Sequence, residues 1–395
     1  MEASFSLFFV FIILSLLAVT KSDNPVFDVL HYGAIGDGQI DDTNAFLEAW
    51  KATCASDSSS STVHVPSYKT FLIQPLIFNG PCNSKSVIVQ IDGNLVAPIE
   101  PSKWKCEYDN CHRWIYFHKV DGLKVRGRGT IDGHGKNWWN IDGKERPTVL
   151  EISNANNVFL GGGLNFKDGP RMHVVLNSLR SFTVSNIKIN APEKSPNTDG
   201  IHVMGCTDSS IDHCQIGTGD DCISIGDGTS NLKVSNVICG PGHGISIGSL
   251  GKDGANDEVE YVTVSDSVLI GASNGVRIKT WQGGKGYARN FVFERILFHE
   301  TSNPIIIDQY YCDHEECTTS ESAVQISNVT YSKMLGTSRR KIAVTLKCSE
   351  SQPCKDIVIE DMAIFSRGEN EAQYECSNVY GKARGQIVPR ISCLN

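Results

Sequence analysis

The chain has 395 residues, fourteen of them cysteine, and a formal net charge of −8. Acidic and basic residues are interspersed without a long run of either sign, which argues against nucleic acid or an anionic membrane as a general partner. Fourteen cysteines do not suit a reducing compartment, and the lack of any C-x-x-C pair argues against thiolate zinc sites.

In chain order, the first feature is the apolar run Leu7 to Val19, interrupted only by Ser15 and followed by Lys21, Ser22 and Asp23. It is too short for a comfortable membrane span and predicts a secretory leader over residues 1–22, although Met1-Glu2-Ala3-Ser4 carries an acid and no basic residue. Residues 23–395 then read as a single secreted domain. Ala45, Phe46, Ala49 and Trp50 recur at helical spacing within Asn44 to Cys54, and Asp42 or Thr43 stands where an N-cap is wanted. Residues 55–148 follow, with a loop expected at Ser56 to Ser61.

From about Val149 the pattern becomes a ladder of short β-branched runs separated by Asn, Gly, Asp and Ser. Ile201, Ile223 and Ile245 stand 22 residues apart, Val276 follows after 31 and Ile305 after 29. Units of this size and variable length predict an all-β solenoid, a parallel β-helix whose insertions emerge at the turns. The helix at residues 44–54 would cap its first coil. Close cysteine pairs, Cys106 with Cys111, Cys312 with Cys317, Cys348 with Cys354 and Cys376 with Cys393, suggest local staples, and Asn328-Val329-Thr330 is a glycan sequon on an expected turn.

Three turns of the ladder are unusually polar: Asn197-Thr198-Asp199-Gly200, Gly219-Asp220-Asp221-Cys222 and Gly242-His243-Gly244. Asp199, Asp221 and His243 again differ by 22, so rungs about 4.8 Å apart would stack them in a row. Arg277 and Lys279 lie on the next rung, two residues apart and hence on one side of a strand; Asp308, Gln309, Tyr310 and Tyr311 lie one rung further. Each residue alone suits an ordinary turn or a solvated face. Together, clustered carboxyls suit acid and base work on a glycosidic bond, with one acid kept protonated by its neighbours and the others holding water. The cationic pair would then bind a uronate carboxylate.

At these residues the chain resembles the plant polygalacturonases, a family of glycoside hydrolases. The motifs are Ser195-Pro-Asn-Thr-Asp-Gly200, Gly217-Thr-Gly-Asp-Asp-Cys222, Cys239-Gly-Pro-Gly-His-Gly-Ile-Ser-Ile-Gly-Ser249 and Arg277-Ile-Lys279, with His31-Tyr-Gly-Ala-Ile-Gly-Asp-Gly38 upstream. The resemblance implies a right-handed parallel β-helix acting on pectic polysaccharide in the cell wall by an inverting, cofactor-free mechanism. It implies Asp220 as general acid, Asp199 and Asp221 as water activators and His243 as support for the acid. Arg277, Lys279, Asn197 and Tyr311 would bind substrate, with Tyr310 as the alternative tyrosine. A monomer, an acidic optimum and cleavage within the polymer are expected. The rivals are a calcium-dependent pectate lyase and a non-catalytic pectin-binding solenoid.

Overall fold

The computed structural model describes residues 24–106, 110–313, 320–321, 323–368 and 371–394. The leader expected over residues 1–22 and the Cys317 end of the Cys312–Cys317 pairing lie outside these residues.

The wall that carries the polar turns is an eleven-stranded parallel sheet. Its strands are β1 (Leu76–Asn79), β2 (Arg113–His118), β3 (Thr148–Ser153), β4 (Val174–Asn177), β5 (Ile201–Met204) and β6 (Ile223–Ile225). They continue as β7 (Ile245–Leu250), β8 (Asn274–Thr280), β9 (Asn303–Asp308), β10 (Ile342–Lys347) and β11 (Gln373–Ser377). Each strand pairs with the strand of the next coil, and the intervening chain forms the other walls, also in parallel register. This is a parallel β-helix, right-handed as connections between parallel strands of one sheet are.

Strand alternation builds the core. Ile201, Ile223, Ile245, Val276, Ile305 and Val344 are register partners on successive rungs, and all are fully or almost fully buried. Burial of each such side chain contributes roughly 1.5–3 kcal/mol. The neighbouring positions face outward on the same rungs, as His202, Ser224, Ser246 and Arg277, also register partners. A stacked outward column of polar groups is therefore a direct product of the period-two side-chain pattern.

Two expectations need correction. The ladder starts well before Val149: Val26–Asp28 already pairs with Ser60–Val65, which pairs with Ser86–Ile91, and that strand with Leu123–Gly127. Coil lengths there are irregular, Ser60 facing Ser86 but Val87 facing Leu123, so no fixed spacing marks them in the sequence. The capping helix α1 spans Thr43–Cys54, but the Asp42 side chain does not cap it. Its oxygens accept from the N–H groups of Ile35 and Gly36 at 2.7 and 3.1 Å, while Asp41 Oδ1 accepts from Thr43 N at 3.2 Å.

The pairs Cys106–Cys111, Cys348–Cys354 and Cys376–Cys393 are disulfides, as are Cys54–Cys82 and Cys222–Cys239, which join cysteines from separate parts of a coil. Cys206 and Cys214 are buried free thiols. Asn328 is exposed at a left-handed corner (φ 52°), and its amide nitrogen donates to Asn290 Oδ1 at 2.7 Å.

Candidate active site

The polar turns lie immediately ahead of β5, β6 and β7, so parallel stacking places them one above another. Gly200 N donates to Asp221 O at 2.9 Å, Cys222 N to Gly244 O at 2.8 Å and His243 N to Asp220 O at 2.7 Å. Two glycines permit this closeness. A Cβ at Gly219 would stand 2.0 Å from Ser195 O, and Gly244 combines φ +85° with Asn274 and Gly275 carbonyl oxygens at 2.3 and 2.1 Å from any Cβ.

Asp199 and Asp221 are both buried, and each is held by a serine from the outward column. Ser246 Oγ donates to Asp221 Oδ1 at 2.8 Å and accepts from Arg277 Nε at 3.1 Å. Arg277 NH2 and Lys279 Nζ complete two ion pairs to Asp221, at 2.8 and 2.9 Å. One rung earlier, Ser224 Oγ donates to Asp199 Oδ2 at 2.8 Å and lies 2.8 Å from His202 Nδ1. The single hydroxyl proton of Ser224 is committed to Asp199, so His202 must donate from Nδ1. Burial holds the His202 pKa down to about 4, and its imidazole is neutral. The two relays therefore end differently: Asp221 faces two cations and Asp199 faces a neutral ring. Burial first, then the charges of Asp220 and Asp221, lift Asp199 to a pKa of about 7.

Asp220 is the most open of the three carboxyls; its side chain is 19% exposed, against 1% for Asp221. Its Oδ1 lies 3.2 Å from His243 Nδ1. Burial opposes ionisation of Asp220, but the His243 hydrogen bond and charge outweigh it and leave its pKa lowered. His243 moves the opposite way, its pKa raised chiefly by that same bond. These directions leave the proton of the pair on His243, with Asp220 ionised beside it.

The cationic pair on β8 has donors to spare. Arg277 engages Nε and NH2, leaving NH1, and the ammonium of Lys279 has three hydrogens. Both cations contact the one carboxylate of Asp221, and the Lys279 charge also acts on Asp199 and Asp220. The Tyr311 ring lies 5.3 Å from Lys279 Nζ and edge-on to Trp281, whereas Tyr310 points to solvent. Gln309, expected at the groove, is instead fully buried. Its amide serves Val324 O and Ser349 N, because the chain turns inward there. Asn197, itself exposed, accepts from Arg146 NH2 at 2.7 Å.

The profile of glycosyl hydrolases family 28 matches residues 54–386. A probable polygalacturonase of Arabidopsis thaliana is 45% identical over 99% of this chain and 84% of its own length. The chain belongs to glycosyl hydrolases family 28. A polygalacturonase of Malus domestica is 41% identical over 95% of this chain and 81% of its own. The polygalacturonase of Erwinia carotovora ssp. carotovora superposes with a TM-score of 0.72 over 91% of this chain and 96% of its own. At 22% identity that likeness speaks for the fold.

Several residues of this family 28 site escape a reading by motif. His173 is fully buried: its Nε2 accepts from Gly169 N at 3.0 Å, and its Nδ1, 3.1 Å from Asp199 O, must therefore donate to that carbonyl. Ser224 and His202 look like ordinary strand residues, and Ser246, though inside the Cys239–Ser249 motif, has no role assigned there; only their phase, one residue beyond each stacked core Ile, marks them. Arg146 lies about fifty residues upstream, and nothing in the local sequence signals its contact with Asn197.

Among the described residues, ligand atoms of Asp220, Asp221 and His243 converge within 4.8 Å and form a candidate cation site. Asp221 already has both oxygens committed to Arg277, Lys279 and Ser246. Two neighbouring cations repel a divalent ion, and hard cations such as calcium need more free oxygen ligands than remain.

Proposed function

We propose that this family 28 chain is a polygalacturonase that hydrolyses linkages between galacturonate residues with inversion. The observation that carries this is the stack of three carboxyls on adjacent rungs beside a cationic pair with donors to spare. In this mechanism Asp220 takes the proton held by His243 and gives it to the departing glycosidic oxygen as the bond to the anomeric carbon breaks. A water held between Asp199 and Asp221 attacks that carbon from the opposite face and passes its proton to Asp199. Asp199 suits the acceptor role because a base works best with a pKa near the working pH. Asp221, tied to two cations, orients the water. Arg277, Lys279 and Tyr311 hold the carboxylate and ring of the sugar, and Asn197, braced by Arg146, contributes a further polar contact. No cofactor has a part in these steps.

The relatives' names support polygalacturonate as substrate, and the same names leave open whether cuts fall inside the polymer; internal cleavage is our working expectation. The five disulfides between described residues favour an oxidising compartment, and we read the chain as a secreted single-domain monomer. No helix among the described residues is long and apolar enough to cross a membrane.

The test is incubation of the protein and its Asp220→Asn variant with unesterified polygalacturonate in chelator, following reducing ends and product sizes. Saturated products from the wild type, with a loss of at least about 100-fold in the variant, are expected. Unsaturated products, or dependence on calcium, would establish a lyase instead. Early release of oligomers would mark internal cleavage, and monomers alone would mark attack from the chain end.

A further inference from the structure

The end of the cleft nearest the N-terminal coils carries two guanidiniums that the mechanism above does not use for chemistry. Arg146, just ahead of β3, is 2% exposed. Its NH1 donates to Pro170 O at 3.1 Å and to Pro196 O at 2.5 Å, and its NH2 to Asn197 Oδ1. Arg171 follows Pro170 directly, in the turn leading into β4. The β4–β5 register, with Val174 facing Ile201, sets it beside Thr198, one rung below the turn that holds Asn197 and Asp199.

Among the described residues no carboxylate comes within ion-pairing distance of either guanidinium, and the Nε of each is enclosed without a hydrogen bond. The two repel each other: burial and then the charge of Arg171 hold the Arg146 pKa below its usual value, against the smaller pull of Asp142 and Asp220. The Arg171 charge is also felt at His202, on the outward column. Buried ions without a partner are costly, and the other cations of this site show the usual remedy, since Arg277 and Lys279 share Asp221. At Arg146 and Arg171 no such carboxylate of the described residues comes into contact, which leaves room for one from a bound ligand.

We propose that Arg171, backed by the charge of Arg146, binds a second uronate carboxylate of the same polysaccharide, at the end of the cleft opposite Arg277 and Lys279. From the coil of Arg171 to that of Arg277 is four rungs, about 19 Å at ~4.8 Å each. One sugar cannot touch both stations, whereas a stretch of several spans them. The cleft then grips a polyanion at two points on either side of the acids, despite a net charge of −8 that repels it at a distance. This inference rests on the polygalacturonase reading and adds a substrate-binding residue to it.

The experiment compares Arg171→Gln and Arg171→Met with the wild type on unesterified polygalacturonate, and repeats each substitution in the Asp220→Asn background to measure oligogalacturonate binding by calorimetry. Removing one charge-assisted contact raises KM and Kd about tenfold, with a smaller change in kcat, and shifts the cleavage positions on end-labelled oligomers. Arg171→Lys, which keeps the charge, restores most of the affinity. KM and Kd within about twofold of the parent in either folded variant would overturn the proposal, as would a loss confined to kcat. Failure of the wild type to release reducing ends would instead sink the polygalacturonase reading, whatever the Arg171 variants bind.

Discussion

Asp199 and Asp221 share residue type, repeat phase and burial, yet their second neighbours divide their labour. Ser224 links Asp199 to a neutral imidazole, while Ser246 links Asp221 to a guanidinium. The Ser224 hydrogen bond lowers the Asp199 pKa against burial, so Ser224→Ala should raise that pKa further above about 7. A base acts when deprotonated, and the acid limb of the pH profile of kcat/KM should therefore move to higher pH in that variant. Loss of His243 acts on the other limb. The His243 bond and charge lower the Asp220 pKa, so His243→Ala should raise the intrinsic Asp220 pKa, yet it deprives the acid of its proton reserve; kcat should fall by about 100-fold. Initial rates across pH 4 to 9, roughly the range over which carboxyl and imidazole groups titrate here, check both outcomes. An unmoved acid limb in Ser224→Ala would remove Asp199 from the acceptor role. The motif residues themselves were legible in the sequence because they sit at a constant phase. Their protonation was not, since it depends on burial and on a serine one rung away.

At the scale of the element, the site depends on three turns that keep a common height. The Cys222–Cys239 disulfide ties the residue after Asp221 to the strand Ile238–Cys239 across a separation of 17 residues, and both cysteines are fully buried. A loop of this size confers about 3 kcal/mol when cross-linked. The double variant Cys222→Ala and Cys239→Ala should lose about that much stability in denaturant titration, and should lose activity at temperatures where the coil is still folded, because Asp221 is no longer anchored. Close spacing in the chain suggested three other bridges; Cys222–Cys239 has the same separation of 17 as Cys376–Cys393 but is set by the coil they share, and Cys54–Cys82 joins cysteines 28 apart. The regular strands from residue 201 onward were equally legible, through their stacked Ile and Val. The earlier coils were not: their strands alternate just as well, with Ser60–Val65 alternating between half-buried and buried, but their lengths follow no repeat.

For the whole molecule, the open end of the coil is covered by α1, where Trp50 packs against Phe78 and Phe117 at 4.9 and 5.7 Å between ring centres. Its indole nitrogen donates to Asn79 O at 3.2 Å. Trp50→Ala should cost about 3–5 kcal/mol, seen as a lower Tm, while KM stays unchanged because α1 lies several coils from the site. One continuous core runs from Val29 to Leu394, so loss at the cap is felt along the solenoid. What the sequence determined by itself was whatever recurs: the stacked core residues, the phase of the polar turns and so the row of acids and cations. It did so because a parallel coil converts equal spacing into direct contact. What only the tertiary structure decided was whatever joins unequal positions. Arg146 meets Asn197 from 51 residues away, Lys279 reaches Asp221 across 58, and Gln309 turns inward to serve the backbone. Such contacts depend on loop paths between coils, which no local pattern of residues encodes.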